Sequence, residues 1–304
     1  MSKNFLINVV GPTGIGKTKW AITIAQHFKT EILSSDSRQF YREMSIGTAV
    51  PSTDELTLVP HHFVQHISIF DPYSVGDFER HALALLTKKF YHTNTMVMVG
   101  GSGLYSNAVT LGLDDFPKID PSIRGKLMQQ LESEGIESLQ SKLVQWDPEY
   151  ATTVDMRNPH RIIRALEVHL GTGRPYSSFL GKEKVKRPFS IVSVGITADR
   201  ETIYRRIEKR VDLMMAQGLL EEAEQLYPNR GLNALQTVGY RELFNYFNGQ
   251  WELDFAISEI KKNTRRFAKR QLTWFAKNPD IVWFEYNSPA NEIINHLENK
   301  LQWA

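Results

Sequence analysis

Apolar positions along this chain come in two kinds of stretch: short unbroken runs, and longer segments where they recur every third or fourth residue. Phe5 to Val10 form an unbroken run, and Ala21, Ile24, Ala25 and Phe28 then follow at helical spacing, so the opening residues predict strand, loop and a helix over Thr18 to Phe28. Further short runs over Glu31 to Ser35, Thr95 to Val99 and Ser190 to Ile196 predict three more strands. A strand that is apolar at every position is buried on both faces, and strands alternating with helices predict a mostly parallel sheet covered on both sides. From about Leu113 to Pro188 the pattern changes to polar helical segments broken by prolines and glycines, with no strand signal. That stretch reads as an all-helical lobe, 113–188, inserted into a core domain made of 1–112 and 189–304. The remainder, Thr202 to Trp274, is again helical, interrupted by turns at Pro228 to Gly231 and at Gly249. No internal repeat or low-complexity tract interrupts the pattern.

Composition narrows the class without changing the fold. A chain of 304 residues can bury one sizeable α/β core with an added lobe. Hydrophobic residues at 41% and charged ones at 23% are ordinary for a soluble protein, and no apolar run approaches membrane-spanning length. The N-terminal MSKNFLINVV runs straight into a glycine-rich loop, so it reads as a first strand and not as a signal peptide, and a cytoplasmic location is expected. The absence of cysteine removes disulfides, thiolate zinc sites and cysteine nucleophiles together, leaving oxygen or imidazole to hold any metal. A formal net charge of +2 is too small to imply a polyanionic partner, so the distribution of charge has to carry that argument.

The first candidate chemistry lies between the first strand and the first helix. Gly11, Pro12, Thr13, Gly14, Ile15, Gly16, Lys17 and Thr18 spell a phosphate-binding loop in the strand–loop–helix context that such a loop requires. Its backbone N–H groups wrap phosphate oxygens, the lysine adds a positive charge, and the threonine hydroxyl can ligate Mg²⁺. Asp36, in "SSDSRQFY", follows the second strand on the same carboxyl edge of the sheet, where ligands bind in open α/β folds. Two readings of Asp36 stand: a general base or outer-sphere Mg²⁺ group, and a helix N-cap. "GGSGLY", Gly100 to Tyr105, allows close backbone approach but is more often a tight strand exit. In "RNPHRIIRALEV", Arg161 and Arg164 share a helix face, as phosphate-gripping arginines or as a solvated surface.

The stretch "KKNTRRFAKRQLTWF" is more telling. Lys261, Lys262, Arg265, Arg266, Lys269 and Arg270 fall on one half of a helix, while Ile260, Phe267, Ala268, Trp274 and Phe275 fall on the other. The second half is expected to dock and the first to present a cationic ridge. No acid lies within the stretch, so nucleic-acid backbone is the leading partner and an anionic membrane surface the weaker one. His61, His62 and His66 lack any carboxylate at ligand spacing and read as structural histidines.

Taken in order, "GPTGIGKT", "SSDSRQFYREMSIGTAVP", "PHH", "YSVGDF", "VGGSGLY", "NPHRIIRALEV", "TGRP", "RVDLMMAQGL", "TVGYRE" and "KNTRRFAKRQLTWF" make the whole chain resemble the bacterial tRNA dimethylallyltransferases. Two departures are visible: Gln65 stands where such proteins often carry an acid, in "HHLID", and the zinc-finger tail of eukaryotic relatives is absent. The resemblance implies a P-loop NTPase-like parallel sheet flanked by helices, with the inserted lobe binding tRNA. It implies transfer of a dimethylallyl group from dimethylallyl diphosphate to N6 of the adenosine at tRNA position 37, beside the anticodon. The loop residues Gly11 to Thr18 would hold the diphosphate, Thr18 would hold Mg²⁺, Lys17 and Arg210 would stabilise the leaving group, and Asp36 would take the amine proton. Against the anticodon stem-loop the family pattern sets Asp36, Ser37, Arg38, Gln39, Ser102, Arg124, His160, Arg161, Ile162, Ile163 and Arg164, with Lys261, Lys262, Arg265, Arg266, Lys269 and Arg270 on the stem backbone. A monomer without membrane contact is expected. From the residues alone, a small-molecule P-loop kinase, prenyl transfer to a free adenine nucleotide and a non-catalytic RNA-binding module remain alternatives.

Overall fold

A computed structural model of the chain describes residues 3–181 and 186–303. Its elements in chain order are β1 (Phe5–Val10), α1 (Lys17–His27), β2 (Ile32–Ser34), α2 (Thr53–Leu58), β3 (His61–His62), α3 (Val75–Lys89), β4 (Thr95–Val99) and α4 (Gly103–Thr110). There follow α5 (Pro121–Glu134), α6 (Ile136–Trp146), α7 (Pro148–Thr153), α8 (Pro159–Thr172), β5 (Ser190–Thr197), α9 (Arg200–Ala216), α10 (Leu219–Leu226), α11 (Tyr240–Phe247), α12 (Leu253–Phe275), β6 (Val282–Glu285) and α13 (Ala290–Trp303). The chain forms two compact units, Met1–Leu111 with Lys186–Ala304, and Gly112–Val185.

In the larger unit the strands form one parallel sheet in the order β3-β2-β4-β1-β5-β6. β1 lies between β4 and β5, with Ile7 opposite Val97 on one side and Val192 on the other. All six β1 residues are buried between two helical layers, five of them apolar, and the one polar side chain, Asn8, is hydrogen-bonded to Ser193 and Ser106. Alternate side chains point to opposite faces. Ile7, Val9, Val97 and Val194 pack with Ala21, Ile24, Ile207 and Leu297, whereas Leu6, Leu33, Met96 and Met98 pack with Phe78, Ala82 and Leu86. A further apolar cluster joins α9 to α12, with Val211, Leu219, Leu243 and Ile260 closing on Met44.

Two short strands carry no signal that periodicity could detect. β3 is two residues long, and its histidines serve the edge of the sheet: His61 Nδ1 lies 2.8 Å from the Val59 carbonyl and His62 Nε2 lies 2.5 Å from Glu31 Oε2. β6 is exposed at alternate ends and follows a turn, so its apolar run is short. The structure also starts α1 at Lys17, because Gly16, at φ 98°, takes the left-handed conformation that ends the loop.

The smaller unit is helical throughout its described elements. Asp120 caps α5 through Ser122 N–H, Asn158 caps α8 through Arg161 N–H, and Pro121 and Pro159 sit in the first helical turns. Leu127, Leu139, Leu143, Ile162, Ile163 and Leu166 form its core. The buried Asp147 carboxylate ties in the following segment by accepting from Ser177 N–H and Ser177 Oγ, each at 2.7 Å.

Candidate active site

The carboxyl edge of the sheet carries a cavity of about 640 Å³. The phosphate loop forms one wall. Gly11, Gly14 and Gly16 have φ of 148°, 80° and 98°, backbone that favours glycine, and a Cβ on Gly11 would come within 2.4 Å of the Ile196 carbonyl oxygen. Arg206 on α9, which also lines the cavity, holds the loop by donating from Nε to the Gly14 carbonyl at 2.9 Å, while its guanidinium stacks 5.0 Å from the Tyr286 ring. Thr13 and Thr18 line the cavity with Lys17 and Gly16, whereas Pro12 bears on it through its carbonyl, which accepts from Lys17 Nζ at 2.8 Å. The Ile15 side chain is buried at 1% exposure and anchors the loop to the core.

Lys17, Asp36 and Arg210 meet at this end of the cavity. Desolvation lowers the Lys17 pKa to about 8; the Asp36 charge opposes that shift and the Arg210 charge adds to it. Arg210 is lowered in turn by desolvation, again opposed by Asp36. One carboxylate thus faces two desolvated cations, an arrangement that attracts a further polyanion. Asp36 does not cap a helix. The segment after it is a turn, in which Asp36 Oδ1 accepts from Arg38 N–H at 3.1 Å and the Asp36 carbonyl accepts from Gln39 N–H at 3.0 Å. The same lining also contains apolar side chains, among them Val50, Val211, Met214, Leu219, Val238 and Phe267. The 45–47 turn, whose Gly47 lines the cavity, is shaped by Glu222, whose carboxylate accepts from the N–H groups of Ser45, Ile46 and Gly47 and from Tyr240 Oη at 2.6 Å.

Other sequence-derived candidates fall into distinct places. Ser37 joins the Gly100–Ser102 turn, since Ser102 Oγ accepts from Ser37 N–H at 3.2 Å and lies 3.1 Å from Ser37 Oγ. Arg38 donates to the carbonyls of Asn233 and Ala234, and Gln39 bridges Ser34 Oγ to the Ala49 carbonyl. In the smaller unit His160 and Arg161 are exposed, whereas Ile162 and Ile163 are buried at 0% and 1%. Those two isoleucines therefore act through packing of α8 and offer no side-chain surface to a nucleic acid. Arg124 and Arg164 share the buried Glu167 carboxylate, at 3.0 and 3.4 Å.

The cationic helix differs from its sequence pattern in two respects. Phe267 and Trp274 are exposed at 37% and 38%; the buried stripe of α12 is instead Ala256, Ile260, Ala268, Gln271 and Phe275. Trp274 lies across Gly103, where a Cβ would come within 2.2 Å of its ring. The ridge is also partly neutralised from outside its own stretch. Lys261 pairs with Asp212 at 2.6 Å, Arg265 with Glu208 at 2.6 Å, and Lys262 with Glu259 at 2.7 Å. Arg266, Lys269 and Arg270 remain exposed without a carboxylate partner among the described residues.

Sequence reasoning missed Arg206, Glu222 and Gln271. Gln271 bridges the phosphate loop to the Gly100–Ser102 turn, and its signal was present: a polar residue three after Ala268 and four before Phe275, on the buried stripe. Glu222 and Arg206 act across long sequence separations that no local pattern announces. No group of three or more His, Asp or Glu side chains suited to a metal occurs among the described residues, and none of the described helices is long and apolar enough to cross a membrane.

A model of the family described as IPP transferase matches residues 39–278. The chain is 59% identical over 298 residues to a tRNA dimethylallyltransferase of Christiangramia forsetii, covering 98% of this chain and 99% of that protein. Its fold is similar to the crystal structure of a full-length tRNA isopentenylpyrophosphate transferase from Bacillus halodurans, with a TM-score of 0.72, 37% identity and coverage of 99% and 97%. It is also similar, at a TM-score of 0.77 and 26% identity over 93% of this chain and 74% of the other, to a eukaryotic dimethylallyltransferase captured acting on tRNA.

Proposed function

The chain belongs to the IPP transferase family, and from that premise we propose that it transfers a dimethylallyl group from dimethylallyl diphosphate to N6 of the adenosine at tRNA position 37, releasing diphosphate. The observation that carries this reading is one cavity whose lining combines the phosphate loop and its cations with apolar side chains. Lys17, Thr18 and Arg210, on the phosphate loop and α9, suit a diphosphate, and the apolar lining side chains suit a short hydrocarbon. Asp36 lines the same cavity, beside Lys17 and Arg210.

In the reaction the N6 lone pair forms a bond to C1 of the dimethylallyl group while the C1–O bond breaks, and its electron pair leaves with the diphosphate. Charge grows on the leaving oxygens, where the loop N–H groups, Lys17 and Arg210 lower its energy. The Asp36 carboxylate accepts the amine proton, which a weakly nucleophilic exocyclic amine must lose for the product to form. Thr18 would hold Mg²⁺ through its hydroxyl oxygen, a hard donor of the kind this ion prefers, and the ion would offset leaving-group charge.

For the acceptor, the larger unit offers Arg38 and Gln39 in the cavity lining, Ser37 and Ser102 bonded to each other, and Arg266, Lys269 and Arg270 along α12, while the helical unit by itself offers His160, Arg161, Arg164 and Arg124. The adenine must leave its stack to reach the cavity, at a cost of about a few kcal/mol that these contacts offset. The test is mass spectrometry of nucleosides from unmodified tRNA incubated with the protein, Mg²⁺ and dimethylallyl diphosphate, with AMP as a parallel acceptor. A C₅H₈ gain on tRNA adenosine alone is expected. Modification of AMP would assign a free nucleotide as acceptor, and label transfer from ATP would assign a kinase.

A further inference from the structure

We propose that Gln271 is a positioning residue that fixes the phosphate loop in register with the turn carrying Ser102, and so sets how the donor meets the acceptor. The kinetic part rests on the prenyl-transfer reading above. Gln271 is 5% exposed, deep enough that an unbonded amide would be costly. Both ends are bonded. Oε1 accepts from Thr13 N–H at 2.8 Å, and Nε2 donates to the Gly101 carbonyl at 2.9 Å. One planar amide therefore spans the loop that holds the leaving group and the turn whose next residue, Ser102, holds Ser37 beside Asp36.

The fit on the Gly101 side is close. A Cβ there would come within 2.2 Å of Gln271 Nε2 and 3.6 Å of Lys17 Nζ, so glycine is required for the amide to reach the carbonyl next to the loop lysine. Neither glutamate nor methionine reproduces the pair of bonds: the first lacks the donor and the second lacks both partners. Gln271 also sits on α12, the helix whose exposed side carries Arg266, Lys269 and Arg270. The element proposed to grip tRNA backbone is thus bonded directly to the loop proposed to grip diphosphate.

The test uses Gln271→Met, Gln271→Glu, Gly101→Ala and the double variant Gly101→Ala/Gln271→Met in the full chain. A misplacement near 1 Å costs on the order of a hundredfold in rate, so kcat is expected to fall between about tenfold and a hundredfold in each variant. KM for donor and tRNA should move less than about threefold, because the binding groups remain, and the double variant should be no worse than the poorer single one. Hydrogen exchange at Thr13, followed without substrate, should accelerate in Gln271→Met. Wild-type kcat in Gln271→Met, or a loss matched by a smaller folded fraction with unchanged turnover per folded molecule, overturns the proposal. So does additivity in the double variant. If the wild-type protein transfers no prenyl group, the functional reading fails separately and Thr13 exchange decides the link: unchanged protection in Gln271→Met overturns it, and faster exchange supports it.

Discussion

Asp36 and Lys17 illustrate how much chemistry rests on single charges. Asp36→Asn keeps an oxygen for Arg38 N–H, so the turn should persist while the proton acceptor is removed. Turnover on tRNA is expected to fall by about 10² to 10⁴, with dimethylallyl diphosphate affinity changed only a few-fold; single-turnover kinetics and calorimetric donor binding measure the two, and near-normal turnover would remove Asp36 as the base. Lys17 titrates at about 8, so its ammonium is present below that pH and lost above it. Diphosphate affinity should therefore weaken as pH rises from 7 through 9, and in Asp36→Asn the midpoint should move lower, because Asp36 is the charge that raises the Lys17 pKa. A pH-independent affinity would contradict this. His66 gives a stability counterpart. Its ring meets Phe40, Phe63 and Tyr73 edge-on, neither nitrogen has a hydrogen-bond partner among the described residues, and its pKa is lowered to about 4 by burial, with His81 and Arg42 adding. The unfolded chain takes up that proton near pH 6.5 and the folded one near 4, so acidification across this window favours unfolding. In His66→Phe the fall in melting temperature between pH 7 and pH 5 should be smaller than in the parent.

At the scale of the element, α12 separates what local pattern reveals from what packing decides. Its cations and its length are legible in sequence, because helical spacing sorts residues by face. Which cations stay free is not, because the acids that neutralise Lys261 and Arg265 come from α9, more than forty residues away in the chain. Neutralising Arg266, Lys269 and Arg270 should flatten the dependence of tRNA affinity on salt, by about 0.7 to 0.9 in the log–log slope for each phosphate that they cease to neutralise. Replacing Lys261 and Lys262 should leave the slope nearly unchanged; equal effects from both sets would mean that the ion pairs open on binding. The same limit explains Phe267 and Trp274. A helical projection places them near the apolar side, but the buried stripe runs through Ala268, Gln271 and Phe275 and leaves both rings exposed. The phosphate loop was fully legible because its chemistry needs consecutive residues, whereas Arg206, Glu222 and Gln271 serve the site through contacts that only the folded chain creates.

For the whole molecule, the parallel α/β class followed from unbroken apolar strands alternating with helices, while the edge strands β3 and β6 were too short or too exposed to register. The two compact units have separate apolar cores, which gives a thermodynamic prediction. Leu166, fully buried in the helical unit, should cost about 2 to 5 kcal/mol on truncation in Leu166→Ala. Calorimetry should then show an early transition for that unit while diphosphate affinity of the larger one stays at its parental value; one transition moving as a whole would mean the cores are thermodynamically joined. The position of β1 carries a further consequence, for biosynthesis. Its partner β4 ends at Val99, but its other partner β5 begins only at Ser190, with the helical unit encoded between them. At about 5 to 20 residues per second, a ribosome leaves that edge of a largely apolar strand unpaired for on the order of ten seconds. The nascent chain is thus most prone to aggregate, and most in need of a chaperone, while the helical segment is being translated, and any arrest there should yield insoluble fragments.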